Sequence, residues 1–260
     1  ITRRSIDFMK GSVKAGKPFY AYVCMTQPHI PVLPHADFEG KTGFGDFPDV
    51  LAEMDFRVGQ LLDAVEELGV RDNTIFVFTS DNGPDPTFPS QDTSGPWRGY
   101  YFTHMEGSSR TGKIPAGRVS NEIVHEMDTF TTFAKLAGAT VPQDRPIDGV
   151  DQTDFLLGKK ETSNREGILL FLADRLQAVK WRNWKLHLYD EMHDWFTPPL
   201  KLGTPKLFNL ILDPKEEFPV TVQNTWAVEP MTKMMATFEL STRKFPLIAP
   251  GTPDPYAPPK

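Results

Sequence analysis

The sequence predicts an α/β fold in which a parallel strand pair is followed by a small antiparallel sheet. Three observations carry this. Residues 18–25 (PFYAYVCM) and 74–79 (TIFVFT) are short aromatic and β-branched runs without polar alternation, the pattern of strands buried on both faces. Between them, Leu51, Met54, Val58, Leu61, Leu62, Val65 and Leu68 recur at helical spacing. From Gly167 onward the pattern changes to short strands separated by turns.

The elements follow in order. Residues 5–13 predict a first helix. In the second, Asp49 is the expected N-cap and Gly69 the expected stop. Strand, helix, strand implies a right-handed crossover and a parallel pair. Ligands of such sheets gather beyond the carboxyl ends of the strands. That edge would hold residues 26–31 (TQPHIP) and 80–84 (SDNGP). Residues 119–136 predict a helix whose apolar face is Val124, Met127, Phe130, Thr131, Ala134 and Leu136. Asp148-Gly149-Val150-Asp151 reads as a turn into a short segment. Residues 169–172, 178–181, 185–189 and 206–210 predict an antiparallel meander with a turn at Arg182-Asn183. Residues 230–243 predict a closing helix with Met231, Met234, Met235 and Phe238 inward, a methionine stripe of the kind that packs a core. The proline-rich end predicts an extended tail.

Composition excludes several function classes. The chain has 260 residues, 39% hydrophobic and 24% charged. A chain of this size can bury roughly three quarters of its unfolded surface. Lys and Arg total 28 against 34 Asp and Glu, a net charge of −6, which argues against nucleic-acid binding. No apolar run approaches the ~20 residues of a membrane span. Cys24 is the single cysteine, so neither an internal disulfide framework nor a cysteine-rich zinc site can form. Its place in a buried run predicts a small core residue rather than a nucleophile. Residues 1–13 carry no initiator Met and no secretory leader, which reads as a cut start.

Four groups of residues carry candidate chemistry. Asp81 and Asn82 offer two hard oxygen donors at a strand tip, suited to Ca²⁺ or Mg²⁺, although a full shell needs about six. Asn82-Gly83 also has the composition of a hairpin turn, but no return strand follows it. His29, between Pro28 and Pro31, reads either as a surface histidine or as a donor to an anionic ester oxygen and general acid. In residues 95–110 (GPWRGYYFTHMEGSSR), Arg98 and Arg110 can bind an oxyanion and His104 can donate to one. A packed aromatic loop with solvated arginines fits the same residues.

These segments resemble, in order along most of the chain, the formylglycine-dependent sulfatases, in the arylsulfatase branch of the alkaline-phosphatase-like superfamily. The matching stretches are PFYAYVCMTQPHIPV (18–32), TIFVFTSDNGP (74–84), GPWRGYYFTHMEGSSR (95–110) and the 113–142 run beginning KIPAGRVSNEIVHEMDTF. IDGVDQTDFLLG (147–158), KWRNWKLHLY (180–189) and LFNLILDPKEEFPV (207–220) complete the set. The resemblance implies hydrolysis of sulfate monoesters, aryl, steroid or carbohydrate, with a divalent cation, usually Ca²⁺. The implied nucleophile is a formylglycine made from the Cys of a C-x-(P or A)-x-R motif. It implies Asp81 and Asn82 as metal ligands and His29 as the histidine contacting the sulfate. It also implies export to the periplasm or outside the cell; it says nothing of oligomeric state.

The chain departs from the pattern in places. Cys24-Met25-Thr26-Gln27-Pro28 is not the nucleophile motif, and a first pair of adjacent aspartates is missing. Both are expected upstream, so residues 1–160 read as the later part of the catalytic α/β domain and 161–260 as a small C-terminal subdomain. Tyr101 stands where family members often carry a lysine, and Lys113 belongs to a later segment; His104 is expected to replace part of that charge. After Arg110 a core strand is expected to be missing, since Thr111-Gly112-Lys113-Ile114 follows at once. The 260 residues by themselves are expected to be inactive. Rival readings are a phosphate or phosphonate ester hydrolase of the same superfamily and a non-catalytic remnant or binding module.

Overall fold

The computed structural model describes residues 1–85, 94–109, 120–190, 197–246, 249 and 251–253. They pack as two units, one of Ile1–Phe78 with Asp85, the other of Thr79–Pro84 with the described residues from Ser94 on.

The first unit is built on two helices, α1 (Thr2–Lys14) and α2 (Asp46–Glu67). Met9 of α1 and Leu61, Ala64 and Val65 of α2 form its buried core. Gly69, at φ 66°, ends α2 as its sequence predicts. Asp49 differs from expectation. It lies inside the first turn, and its carboxylate accepts the N–H groups of Gly40 (2.7 Å) and Thr42 (2.8 Å) and the Thr42 hydroxyl (2.6 Å). The Thr42 hydroxyl bond, with the backbone donors, holds its pKa below the ordinary carboxylate range against the effect of burial. One turn on, Glu53 accepts the His35 N–H at 2.9 Å. Two carboxylates of α2 thus order the loop that precedes it.

The segment 18–25 carries no strand ladder among the described residues. Phe19, Val23 and Met25 pack on the helical core, whereas Tyr20, Tyr22 and Cys24 are exposed. Burial is therefore one-faced, and Cys24 is not the core residue expected of it. Residues 75–78 are likewise exposed and without assigned structure. An apolar run fixes a preference for strand, but a ladder needs a neighbouring backbone to pair with.

The second unit contains α3 (Glu106–Ser109), α4 (Met127–Leu136), α5 (Thr153–Leu156) and a four-stranded antiparallel sheet. Its strands, β1 (Gly167–Leu172), β2 (Arg175–Trp181), β3 (Trp184–Tyr189) and β4 (Lys201–Asn209), pair in sequence order as the expected meander. Arg182 and Asn183 form the two-residue turn, with Arg182 at φ 52°. One sheet face carries Val179, Leu186 and Leu207 against Ala227 and against Met231 of α6 (Val228–Lys244). Phe238 lies at the margin of this core, its ring 5.3 Å from that of Phe171.

The helix expected over 119–136 begins only at Met127. Its buried face is polar. Asp128 and Thr132 are 1% exposed, while Val124, Met127, Phe130 and Leu136 stand out toward solvent. Asp128 accepts the N–H groups of His125 (2.9 Å) and Val150 (2.7 Å) and the Arg165 Nε (2.9 Å). Its carboxylate thereby closes the start of the helix. Gly149 is required at the expected turn, because a Cβ there would lie 2.3 Å from the Met127 carbonyl oxygen. Residues 110–119, including Arg110, Lys113 and the place of the missing strand, lie outside the described residues, as does most of the tail.

Candidate active site

The Asp81-Asn82 turn is held by backbone contacts on its C-terminal side. The Gly83 N–H donates to the Ser108 carbonyl at 2.8 Å, and the Tyr101 N–H donates to the Pro84 carbonyl at 3.1 Å. Asp81 is exposed. The Asn82 Nδ2 donates to the Gly83 carbonyl at 2.8 Å, which leaves its Oδ1 available as a second oxygen donor. This donor pair fits a hard divalent cation in kind and supplies only part of its shell. Among the described residues no group of three or more His, Cys, Asp or Glu side chains has metal-binding geometry.

The loop from Ser94 to Met105 folds back on itself. The Ser94 hydroxyl donates to the Trp97 carbonyl (2.6 Å), and the Thr103 hydroxyl to the Tyr100 carbonyl (2.7 Å). Gly99, at φ 93°, lies so close to Met105 that a Cβ would come within 2.3 Å of the Met105 Cβ. The next residues lead into a buried ion cluster. Glu106 meets Lys180 at 2.6 Å and Lys185 at 3.1 Å. Glu216 meets Lys185 at 3.3 Å and the His187 Nε2 at 2.5 Å.

These groups cover the second face of the sheet. Lys180 and Lys185 are directly opposed across the β2–β3 hairpin, a destabilising like-charge pairing unless a counter-ion lies between them. Glu106 is that counter-ion. Burial acts to raise the Glu216 pKa, and Lys185 and His187 outweigh it, leaving the carboxyl below its ordinary value. His187 is held below the ordinary histidine range, chiefly by burial.

Arg98 and His104 belong to this cluster. The Arg98 Nη2 donates to the Glu216 carbonyl at 2.7 Å. His104 is 6% exposed, edge-on to His187 at 4.5 Å between ring centroids, and its Nε2 has no hydrogen-bond partner among the described residues. Burial first, then His187 and Lys185, lowers its pKa to about 3. It is neutral near pH 7 and does not provide the cationic charge expected of it. A cavity of about 170 Å³ adjoins the cluster, lined by Arg98, His187, Asp190, Lys206 and Glu216 among others.

His29 lies in the first unit and Asp81, Asn82, Arg98 and His104 in the second. The His29 ring is exposed, with Nδ1 2.6 Å from the Ile30 carbonyl oxygen. That acceptor assigns the proton to Nδ1 and leaves Nε2 toward solvent. The lysines and glutamates of the cluster were not candidates from sequence. The signal that could have found them is the pair of lysines facing each other across a two-residue turn.

The family model described as Sulfatase matches residues 1–139. The chain belongs to the sulfatase family. Among its sulfatase relatives, the dog N-acetylgalactosamine-6-sulfatase is 32% identical over 86% of this chain and 48% of its own. Human arylsulfatase D is 33% identical over 65% of this chain and 32% of its own. The crystal structure of the PsFucS1 sulfatase from Pseudoalteromonas sp. superposes with a TM-score of 0.88 at 30% identity, covering 95% of this chain and 53% of that one. The alkaline-phosphatase-like fold assignment stands on such neighbours. The chain spans about half the length of the N-acetylgalactosamine-6-sulfatase and about a third of arylsulfatase D.

Proposed function

We propose that this chain is the later part of a sulfuric ester hydrolase acting on a sulfated carbohydrate, with Asp81 and Asn82 as cation ligands and His29 at the sulfate. In this reading residues 1–160 belong to the catalytic domain and 161–260 to a C-terminal subdomain. The observation that carries the proposal is the Asp81-Asn82 turn. Its Asn amide nitrogen is engaged internally, so two oxygens remain for a ligand at a loop that the rest of the second unit holds in place. The names of the N-acetylgalactosamine-6-sulfatase relatives support the carbohydrate class.

A bound Ca²⁺ or Mg²⁺ would offset the charge on the sulfate oxygens. Asp81 contributes the anionic ligand and Asn82 a neutral one. His29, with Nδ1–H directed to Ile30, presents Nε2, which donates a proton to a sulfate or leaving-group oxygen when the ring is charged. Formylglycine does not fit the residues in hand: Cys24 lacks the Pro and Arg of the modification motif. The nucleophile is assigned to sequence outside these 260 residues.

The test is sulfate release by the intact protein, with Ca²⁺, from 6-sulfated N-acetylgalactosamine, 4-nitrophenyl sulfate and 4-nitrophenyl phosphate. The sugar sulfate is expected to be the best substrate. Asp81→Ala is expected to lower kcat/KM by at least about 100-fold, the scale of a lost electrostatic contact to the reacting group. Faster cleavage of the phosphate ester would replace this reading with the phosphoester hydrolase. The 260-residue chain by itself is expected to release none, and release abolished by His29→Ala would overturn that part.

A further inference from the structure

Glu106 joins segments that lie far apart in the chain. Its carboxylate bridges Lys180 and Lys185, and its N–H donates to the Glu216 Oε1 at 2.8 Å. Two residues on, in the same helical turn, the Ser108 carbonyl accepts the Gly83 N–H. The Asp81-Asn82 oxygen pair immediately precedes Gly83. α3 has four residues and cannot hold its own conformation by intrahelical bonds, so its anchorage comes from outside it. The two lysines and Glu216, from the sheet and the loop after it, provide that anchorage.

We propose that Glu106 is a positioning residue for the Asp81-Asn82 pair. Clamped by Lys180 and Lys185, it fixes α3, and α3 fixes Gly83 and the direction in which the two oxygens point. The small antiparallel sheet thereby sets the geometry of the cation-binding turn through one buried carboxylate. This deepens the sulfatase reading, because it rests on that pair being cation ligands. The mechanical coupling is readable without any cation.

Glu106→Gln keeps the side chain's shape and removes its charge. Hydrogen exchange of the full chain, read by mass spectrometry at residues 80–85, is expected to show the Gly83 amide exchanging about tenfold faster, with amides of β3 and α6 unchanged. Unchanged Gly83 exchange in the folded variant overturns the proposal. Equal acceleration at α6 also overturns it, since that reports general loosening. If Glu106→Gln fails to fold, Lys180→Met, which leaves Glu106 its Lys185 contact, is read in the same way with a smaller acceleration expected.

A Ca²⁺ titration of the intact protein by calorimetry separates this proposal from the reading beneath it. Asp81→Asn is expected to abolish binding and Glu106→Gln to weaken it several-fold. Loss of affinity in the first variant with none in the second overturns the positioning role. Undiminished affinity in Asp81→Asn overturns the cation assignment and leaves the Gly83 coupling to stand on the exchange data.

Discussion

Glu106 and Lys185 meet at 3.1 Å with neither side chain exposed. Each has a second partner, Lys180 for the glutamate and Glu216 for the lysine. Two carboxylates therefore balance two ammonium groups in a buried site. Removing one member of such a pairing leaves a buried charge uncompensated, at a cost of about 3 kcal/mol or more. Lys185→Met is expected to lower the unfolding free energy by that amount in guanidinium titrations of the chain. Adding Glu216→Gln restores charge balance and is expected to recover part of the loss. A double variant no more stable than Lys185→Met would contradict the balance argument.

His104 makes stability depend on pH in a defined direction. Its folded pKa is about 3, set first by burial, whereas an unfolded histidine titrates near ~6.5. Between those values the unfolded chain binds the extra proton, so stability falls as pH falls from about 6.5 toward 3. Above that window His104 contributes no slope. The decline is expected to reach about 1.4 kcal/mol per pH unit from this residue. His104→Asn should flatten the curve between pH 6 and 4. Parallel curves for the two proteins would count against a buried neutral imidazole.

Asp128 works in the same pH direction from the opposite charge. Burial acts to raise its pKa, but the Arg165 guanidinium and two backbone N–H groups prevail and hold it low. Its stabilisation is present at neutral pH and disappears only when the pH falls through that lowered value. Asp128→Asn leaves the Arg165 charge without its partner and is expected to cost about 3 kcal/mol at pH 7. The variant should then lose less stability than the parent on acidification, as measured by denaturant titration at two pH values.

The turn between β1 and β2 places Ala173 at φ 52°, in the left-handed region where a Cβ meets the following carbonyl. Ala173→Gly removes that strain and partly offsets the gain by loosening the unfolded chain. The net expectation is a stabilisation of about 0.5 kcal/mol, visible as a raised Tm in calorimetry. A lowered Tm would show that the turn holds Ala173 without strain.

Local patterns proved legible where local forces decide. The β2–β3 hairpin and α6 were readable because alternation, a two-residue turn and a methionine stripe lie within a few residues of each other. The apolar stripe of α4 misled, since the helix buries Asp128 and Thr132 against groups about 20 to 40 residues away, Gln152 and Arg165 among them. Lys180, Lys185 and His187 occupy alternate strand positions that ordinarily face water. Their counter-ions come from 79 residues before Lys185 and 31 after it, a pairing that no window of sequence displays. Of the candidate site, Asp81, Asn82 and His29 stood out as residue types at a loop edge. Glu106 did not, because its partners are supplied by tertiary folding.

Cys24, the sole thiol of the chain, is exposed on the same face as Tyr20 and Tyr22. A single maleimide dye attached there would mark that face stoichiometrically, with no competing sulfhydryl to confuse the signal. The rate of its attachment then becomes an optical gauge of whatever comes to lie over the segment: fast on the chain by itself, slowed in proportion as the face is covered.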